Sequence, residues 1–208
     1  MADISAEPRP APPLTERQEA RRRRILDAGT ALACQGGFEA VQMREVAELS
    51  GVALGTLYRY FPSKIHLLVA VMQDQLGLLH EALRTRPPAA GAPGERVAET
   101  LLRAFRALQR EPLLADAMVR AMLFADRSVR AEVDTCSRLT TTIILEAIGP
   151  AAVPPSDSRL AAVRVIEHTW HAALVGWLAG RAPVDLVTTD IRTACRLLEP
   201  APFNAFDR

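Results

Sequence analysis

The sequence predicts an all-α fold, with an N-terminal three-helix head, a long connecting helix and a C-terminal helical body. Three observations carry that expectation. Hydrophobic residues make up 49% of the 208-residue chain but aromatic residues only 5%, and Ala and Leu, good helix formers, dominate over β-branched runs. Apolar positions recur at steps of three and four along most of the length. Prolines and glycines, which interrupt such stripes, fall mainly between them.

Residues 1–14, with Pro8, Pro10, Pro12 and Pro13, read as a disordered arm. The head is expected over 15–62, the body over 63–200 and a frayed tail over 201–208. Arg21, Arg22, Arg23 and Arg24 open the first helix. Its apolar positions Ile25, Gly29, Leu32 and Gly36 keep helical spacing up to a left-handed cap expected at Gly36-Gly37. Val46, Ala47 and Leu49 then give a short helix one apolar side. Gly51 supplies the positive φ of a sharp turn, and 54–61 makes a second short helix. Two short helices about such a turn are a helix-turn-helix.

Ser63, after Pro62, is placed to cap the next helix. Its stripe of Ile65, Leu68, Met72, Leu76, Leu79 and Leu83 spans roughly 30 Å at 1.5 Å per residue, long enough to act as a lever between head and body. Over 84–94, Pro87, Pro88, Gly91, Pro93 and Gly94 predict a loop. Further helical stripes follow over 97–108, from Pro112, and over 129–147 up to Gly149-Pro150. Pro154-Pro155-Ser156-Asp157 caps a long segment carrying Leu160, Val163, Trp170, Leu174 and Trp177, and the last stripe runs from Pro183 to Leu198.

A net charge of +1 argues against broad coating of nucleic acid, so DNA affinity must come from a local patch. Cys34, Cys136 and Cys195 are odd in number and far apart, so no disulfide framework is expected. There is no apolar signal core, and no segment nears the roughly eighteen apolar residues of a membrane span. A cytoplasmic protein without a membrane partner is expected. No nucleophile elbow or phosphate-cradling glycine loop is present, so neither an enzyme nor a cofactor is expected. His168 and His171 can share a helical face, but Glu167 points about 100° from His168, so no metal site is expected either.

The most specific chemistry lies in the second short helix. Thr56, Tyr58, Arg59 and Tyr60 stand close together, with Lys64 one turn beyond Pro62 and no acidic residue among them. Hydroxyl, phenol and cationic groups bond phosphate oxygens and base edges when a helix enters the major groove. Gly55 removes a side chain where the helix N-terminus would approach the DNA backbone, and that end favours an anion. Double-stranded DNA is therefore the expected partner. One or two of the four arginines can also reach a flanking phosphate or minor groove, although a solvated basic first turn fits each one equally well.

Gly51-Val52, Gly55-Thr56-Leu57-Tyr58, Tyr60-Phe61 and Ser63-Lys64, following a helix that ends in Gly36-Gly37-Phe38, resemble the N-terminal domain of the TetR family of bacterial transcriptional repressors. The resemblance implies base reading at Arg44, Leu54, Gly55 and Arg59. It implies phosphate contacts at Met43, Thr56, Tyr58, Tyr60 and Lys64. Met43 and Leu54 depart from the polar residues common at their positions, although a leucine can touch a thymine methyl. A homodimer on an inverted-repeat operator and a C-terminal effector site are implied as well.

Matches at Arg24-Ile25-Leu26-Asp27-Ala28, Glu39-Ala40-Val41-Gln42-Met43-Arg44, Pro112-Leu113-Leu114, Phe124-Ala125-Asp126 and 170–181 look like the actinobacterial branch of the family that represses cholesterol catabolism. They imply a hydrophobic effector, a steroid-derived acid as its CoA thioester. A fatty acyl-CoA or a drug is the alternative within the family.

The residues of the body permit ligand sensing without naming a ligand. Leu101, Phe105, Met118, Met122, Phe124, Ile143, Trp170 and Leu174 can surround an adaptable apolar cavity, and each also fits plain core. Arg120 fits either the anionic end of a ligand or the surface. Ala172, Ala173, Gly176, Ala179 and Gly180 leave one side of their helix nearly bare. Packing within one chain and a four-helix interface between two chains both suit that face, and the resemblance favours the homodimer. The rival reading from another class is a purely structural helical dimerisation module.

Overall fold

The computed structural model describes residues 15–89, 91–149 and 155–199, so the arm and tail expected at the two ends, and the cap residue Pro154, lie outside the described residues. The described chain folds into α1 (Glu16–Ala40), α2 (Met43–Ser50), α3 (Leu54–Tyr60), α4 (Lys64–Thr85), α5 (Pro93–Arg110), α6 (Pro112–Leu123), α7 (Arg130–Ile148), α8 (Asp157–Leu178) and α9 (Val184–Cys195). No strand occurs among the described residues. None of the described helices is long and apolar enough to cross a membrane.

Local chemistry sets the helix starts. Thr15 and Gln18 form a reciprocal capping box on α1. The Ser63 and Ser156 hydroxyls accept the N–H of His66 and of Arg159 at the starts of α4 and α8. Pro93 and Pro112 occupy first-turn positions of α5 and α6, where the missing N–H costs nothing.

Two expectations change. Gly36 and Gly37 do not form a simple left-handed cap. Gly36 leaves the helical region at φ −148°, ψ 22°, and Gly37 pairs φ 65° with ψ −155°, a kink after which 38–40 turn once more. The kink carries Phe38 back onto the core. The loop expected over 84–94 is shorter, because α4 runs to Thr85 and α5 begins at Pro93. Gly94 is a packed helical residue: a Cβ there would lie 2.5 Å from the Cys195 carbonyl oxygen.

Two cores result. The first joins Ile25, Leu26, Val46, Leu57 and Phe61 of the head to Leu67, Leu68 and Val71 of α4, and continues into Ala117, Met118 and Ala121 of α6. The second packs α5, α7, α8 and α9 around Phe105, Ile144, Ile166 and Ile191, with Phe105 edge-on to Trp177 at 5.1 Å. The first half of α4 is thus part of the head's core, and its second half emerges half-exposed. Arg23 ties α1 to α4 through Asp74 at 2.6 Å, and Gln73 and His80 tie α4 to α7 through the Glu132 carbonyl and the Glu146 carboxylate.

Candidate nucleic-acid interface and effector cavity

The outward aim of α3 follows from one buried residue. Leu57 is fully buried and presses the helix onto the head core, so the opposite face looks out: Gly55, Tyr58 and Arg59 are exposed. Gly51 closes the turn in the left-handed region (φ 65°, ψ 35°), with its N–H donating back to α2. The Ser50 hydroxyl, buried, donates to the Val46 carbonyl at 2.6 Å and fixes the end of α2. Arg44 is exposed at the start of α2. No Asp or Glu occurs anywhere in 49–73, so the surface around α3 carries no carboxylate of its own segment to oppose phosphates.

The other candidates are less free. Thr56 is half-buried, and Met43, Leu54 and Tyr60 pack partly against the head core, which leaves Met43 and Leu54 only part of their apolar surface to present. Lys64 is half-buried, with Nζ 4.0 Å from the centre of the Phe38 ring. Burial pushes the Lys64 amine below its usual pKa, the Glu39 carboxylate pulls it back up, and Arg120 adds to the lowering. Among the arginines of α1, Arg23 is held by Asp27 and Asp74, and Arg22 lies over Phe61 near Glu19. Arg21 and Arg24 have no carboxylate within ion-pair distance among the described residues, which leaves them as the free cations of that turn.

Arg120 does not line the cavity; its side chain lies about one-third exposed at the surface. It bonds Glu39 at 2.8 Å and stacks over the Phe38 ring at 4.5 Å, and Phe124 tilts against the same ring at 5.6 Å. Phe38 therefore sits between two cations, one from the start of α4 and one from α6. That cluster is the seam between head and body.

An apolar cavity of about 150 Å³ lies between α4, α5, α6 and α8. Met118, Trp170 and Leu174 of the eight apolar candidates line it. The other five lie elsewhere. Leu101 and Phe105 are in the second core. Ile143 is buried on α7 and lines a separate cavity with His80 and Thr100. Met122 packs on the first core, and Phe124 is 58% exposed at the seam. The lining that sequence reasoning missed includes Met72, Leu76 and Leu79 of the lever, Leu108 of α5, Leu114 and Val119 of α6, and Glu111 between α5 and α6. The lever's stripe was visible, but periodicity shows which face of a helix is apolar, not whether that face meets side chains or space. His168 is exposed and His171 half-buried. Burial, with His168 nearby, lowers the His171 pKa.

An outward-facing helix-turn-helix carried on a cavity-bearing helical body is the build of a bacterial transcriptional regulator. The chain belongs to the TetR family: residues 25–71 match the family model described as bacterial regulatory proteins, tetR family, and residues 91–198 match the tetracyclin repressor-like C-terminal domain. It is 44% identical to the HTH-type transcriptional repressor KstR of Rhodococcus jostii (strain RHA1), over 87% of this chain and 84% of that one. A crystal structure of a TetR transcriptional regulator from Rhodococcus sp. RHA1 superposes with a TM-score of 0.82 at 38% identity, covering 89% of this chain and 99% of the other. Thermus thermophilus FadR, a TetR-family transcriptional repressor solved in complex with lauroyl-CoA, shares the fold with a TM-score of 0.69 at 24% identity, covering 85% and 92%.

Proposed function

We propose that this chain represses transcription as a cytoplasmic homodimer on an inverted-repeat operator, controls genes of sterol catabolism, and is released by a steroid-derived acid presented as its CoA thioester. One observation carries the reading: the cavity's walls are the helices that hold the head. Met72, Leu76 and Leu79 line it from α4, whose first turn follows directly from the helix-turn-helix, and Met118 lines it from α6, which reaches the head through Arg120 and Phe38. At about 150 Å³ the cavity is smaller than the roughly 300–1,000 Å³ typical of ligand sites. A steroid must therefore part α4 from α6, and methionines are the side chains that yield most readily. A ligand that prefers the parted state by about 5.5 kcal/mol takes the population from 1:99 to 99:1. Similarity to KstR supports the sterol assignment. The lauroyl-CoA bound by the FadR fold relative supports the thioester.

Dimerisation is assigned to α8 and α9. Val165, Ala172, Ala179, Val184 and Leu186 are exposed there, whereas Ala173 is buried and a Cβ on Gly176 would meet Ala182, so those two serve packing within the chain. Two heads would then reach half-sites roughly 34 Å apart, or a multiple of that. The narrow cavity is the observation that favours a second reading, in which a slim fatty acyl chain is the effector.

Fluorescence anisotropy on labelled operator decides between them. Saturating steroid-acid CoA thioester is expected to release the DNA and lauroyl-CoA to leave it bound. The opposite pattern makes the fatty acyl reading correct, and operator affinity unchanged by either removes the effector assignment while leaving DNA binding intact. Wild-type protein that binds random and operator DNA equally would end the repressor reading.

A further inference from the structure

Beside the apolar cavity runs a groove of about 640 Å³ between the second half of α4 and α5, lined by Arg86, Arg103, Arg106 and Arg110 with Leu78, Ala82 and Leu83. Gln75, Leu79 and Ala107 belong to both walls, so the cavity and the groove adjoin across one partition. Arg103 is committed to the fold: it donates to the Arg86 carbonyl and pairs with Glu99. Arg86, Arg106 and Arg110 are exposed, and no carboxylate lies within 4.0 Å of them among the described residues. Arg106 and Arg110 stand one helical turn apart on α5. Like charges at that spacing destabilise a helix; the Glu99 carboxylate offsets part of this through its attraction to Arg106, and Arg110 Nε donates to the Arg106 carbonyl at 3.3 Å.

We propose that Arg86, Arg106 and Arg110, with Arg103 as their anchor, form an anion subsite that takes the phosphates of a CoA thioester whose acyl part occupies the apolar cavity. Guanidinium groups bond phosphate oxygens through paired N–H donors. DNA is the wrong occupant by position. Arg86 follows the 22 residues of α4, about 33 Å from its start at 1.5 Å per residue, at the end remote from α3. An acidic protein would need only the charges. The shared wall is what favours a small molecule that is apolar at one end and anionic at the other.

The inference rests on the thioester reading above and fails separately from it. Calorimetric titration of the full chain with the CoA thioester of a cholesterol side-chain acid, with the free acid and with CoA alone provides the test. Wild-type protein is expected to bind the thioester more tightly than the free acid, with an affinity that falls as salt rises. Arg106→Gln and Arg110→Gln are each expected to weaken thioester binding by roughly tenfold and to leave free-acid and operator affinity unchanged. Arg86→Gln, at the end of α4 and outside α5, is expected to behave the same way and guards against a folding defect in α5. Equal thioester affinity in wild type and all three variants, or a wild type that binds thioester no better than acid, overturns the subsite. If the variants lose the thioester but wild-type operator complexes resist it, the subsite stands and the release mechanism falls. If thioester releases DNA equally from all four proteins, the mechanism stands and the subsite falls.

Discussion

At Gly55 the chain sacrifices helix propensity for no internal reason. A Cβ there would meet no atom of the protein within 4 Å, and the residue does not occupy the left-handed region. Gly55→Ala should therefore stabilise the free protein by up to about 0.5–1 kcal/mol, read by urea denaturation, while weakening operator binding if the space belongs to DNA. Unchanged affinity would remove Gly55 from the interface. Arg44 and Arg59 are exposed, with no carboxylate within 4.0 Å among the described residues. Replacing either with Ala should cost about 1–3 kcal/mol of operator affinity and relax preference at one base pair, measured by titrating single-base operator variants. Lys64 differs, because its amine already lies on Phe38. Lys64→Met keeps that packing and should lower affinity for all sequences alike, with a salt slope smaller by about one. The residue types at these positions were legible in the chain. The ring beneath Lys64 was not, because Phe38 and Lys64 are brought together only by the kink at Gly37.

At the scale of elements, α4 and α6 have both a packing role and a lining role. Ser63 starts α4, with its hydroxyl against both the backbone N–H and Nδ1 of His66. Ser63→Ala should cost about 1 kcal/mol and loosen the joint on which the lever turns, which hydrogen exchange in the first turn of α4 would register. Gly94→Ala forces a Cβ against the backbone at the end of α9. It should destabilise by about 1–3 kcal/mol, as overpacking typically does, with the loss visible as a lower melting temperature. The stripe of α4 predicted an apolar face. It did not predict that Leu67, Leu68 and Val71 meet the head while Met72, Leu76 and Leu79 border space, because that division depends on where α6 crosses.

Across the whole molecule, two buried thiols link stability to pH. Burial pushes Cys136 up to about 11 and Cys195 up to about 12 from 9.0. Their folded-state pKa values are raised, so above pH 9 the unfolded chain sheds protons that the folded chain keeps. Stability is full below pH 9 and falls as pH rises towards 11 and 12. Urea midpoints should decline over that window, and Cys195→Ala should flatten the decline; a midpoint independent of pH there would contradict the burial of both thiols. The sequence by itself determined the helix count, the caps at Ser63 and Ser156, the glycine turn and the residue types on the outward face of α3, because propensity, capping and short-range spacing act within a few residues. The tertiary structure alone decided that five of eight apolar candidates lie away from the cavity between α4, α5, α6 and α8, that Arg120 serves the seam, and that Arg86 and three arginines of α5 line the groove beside that cavity. Those outcomes depend on how helices distant in sequence cross, and no local periodicity encodes a crossing.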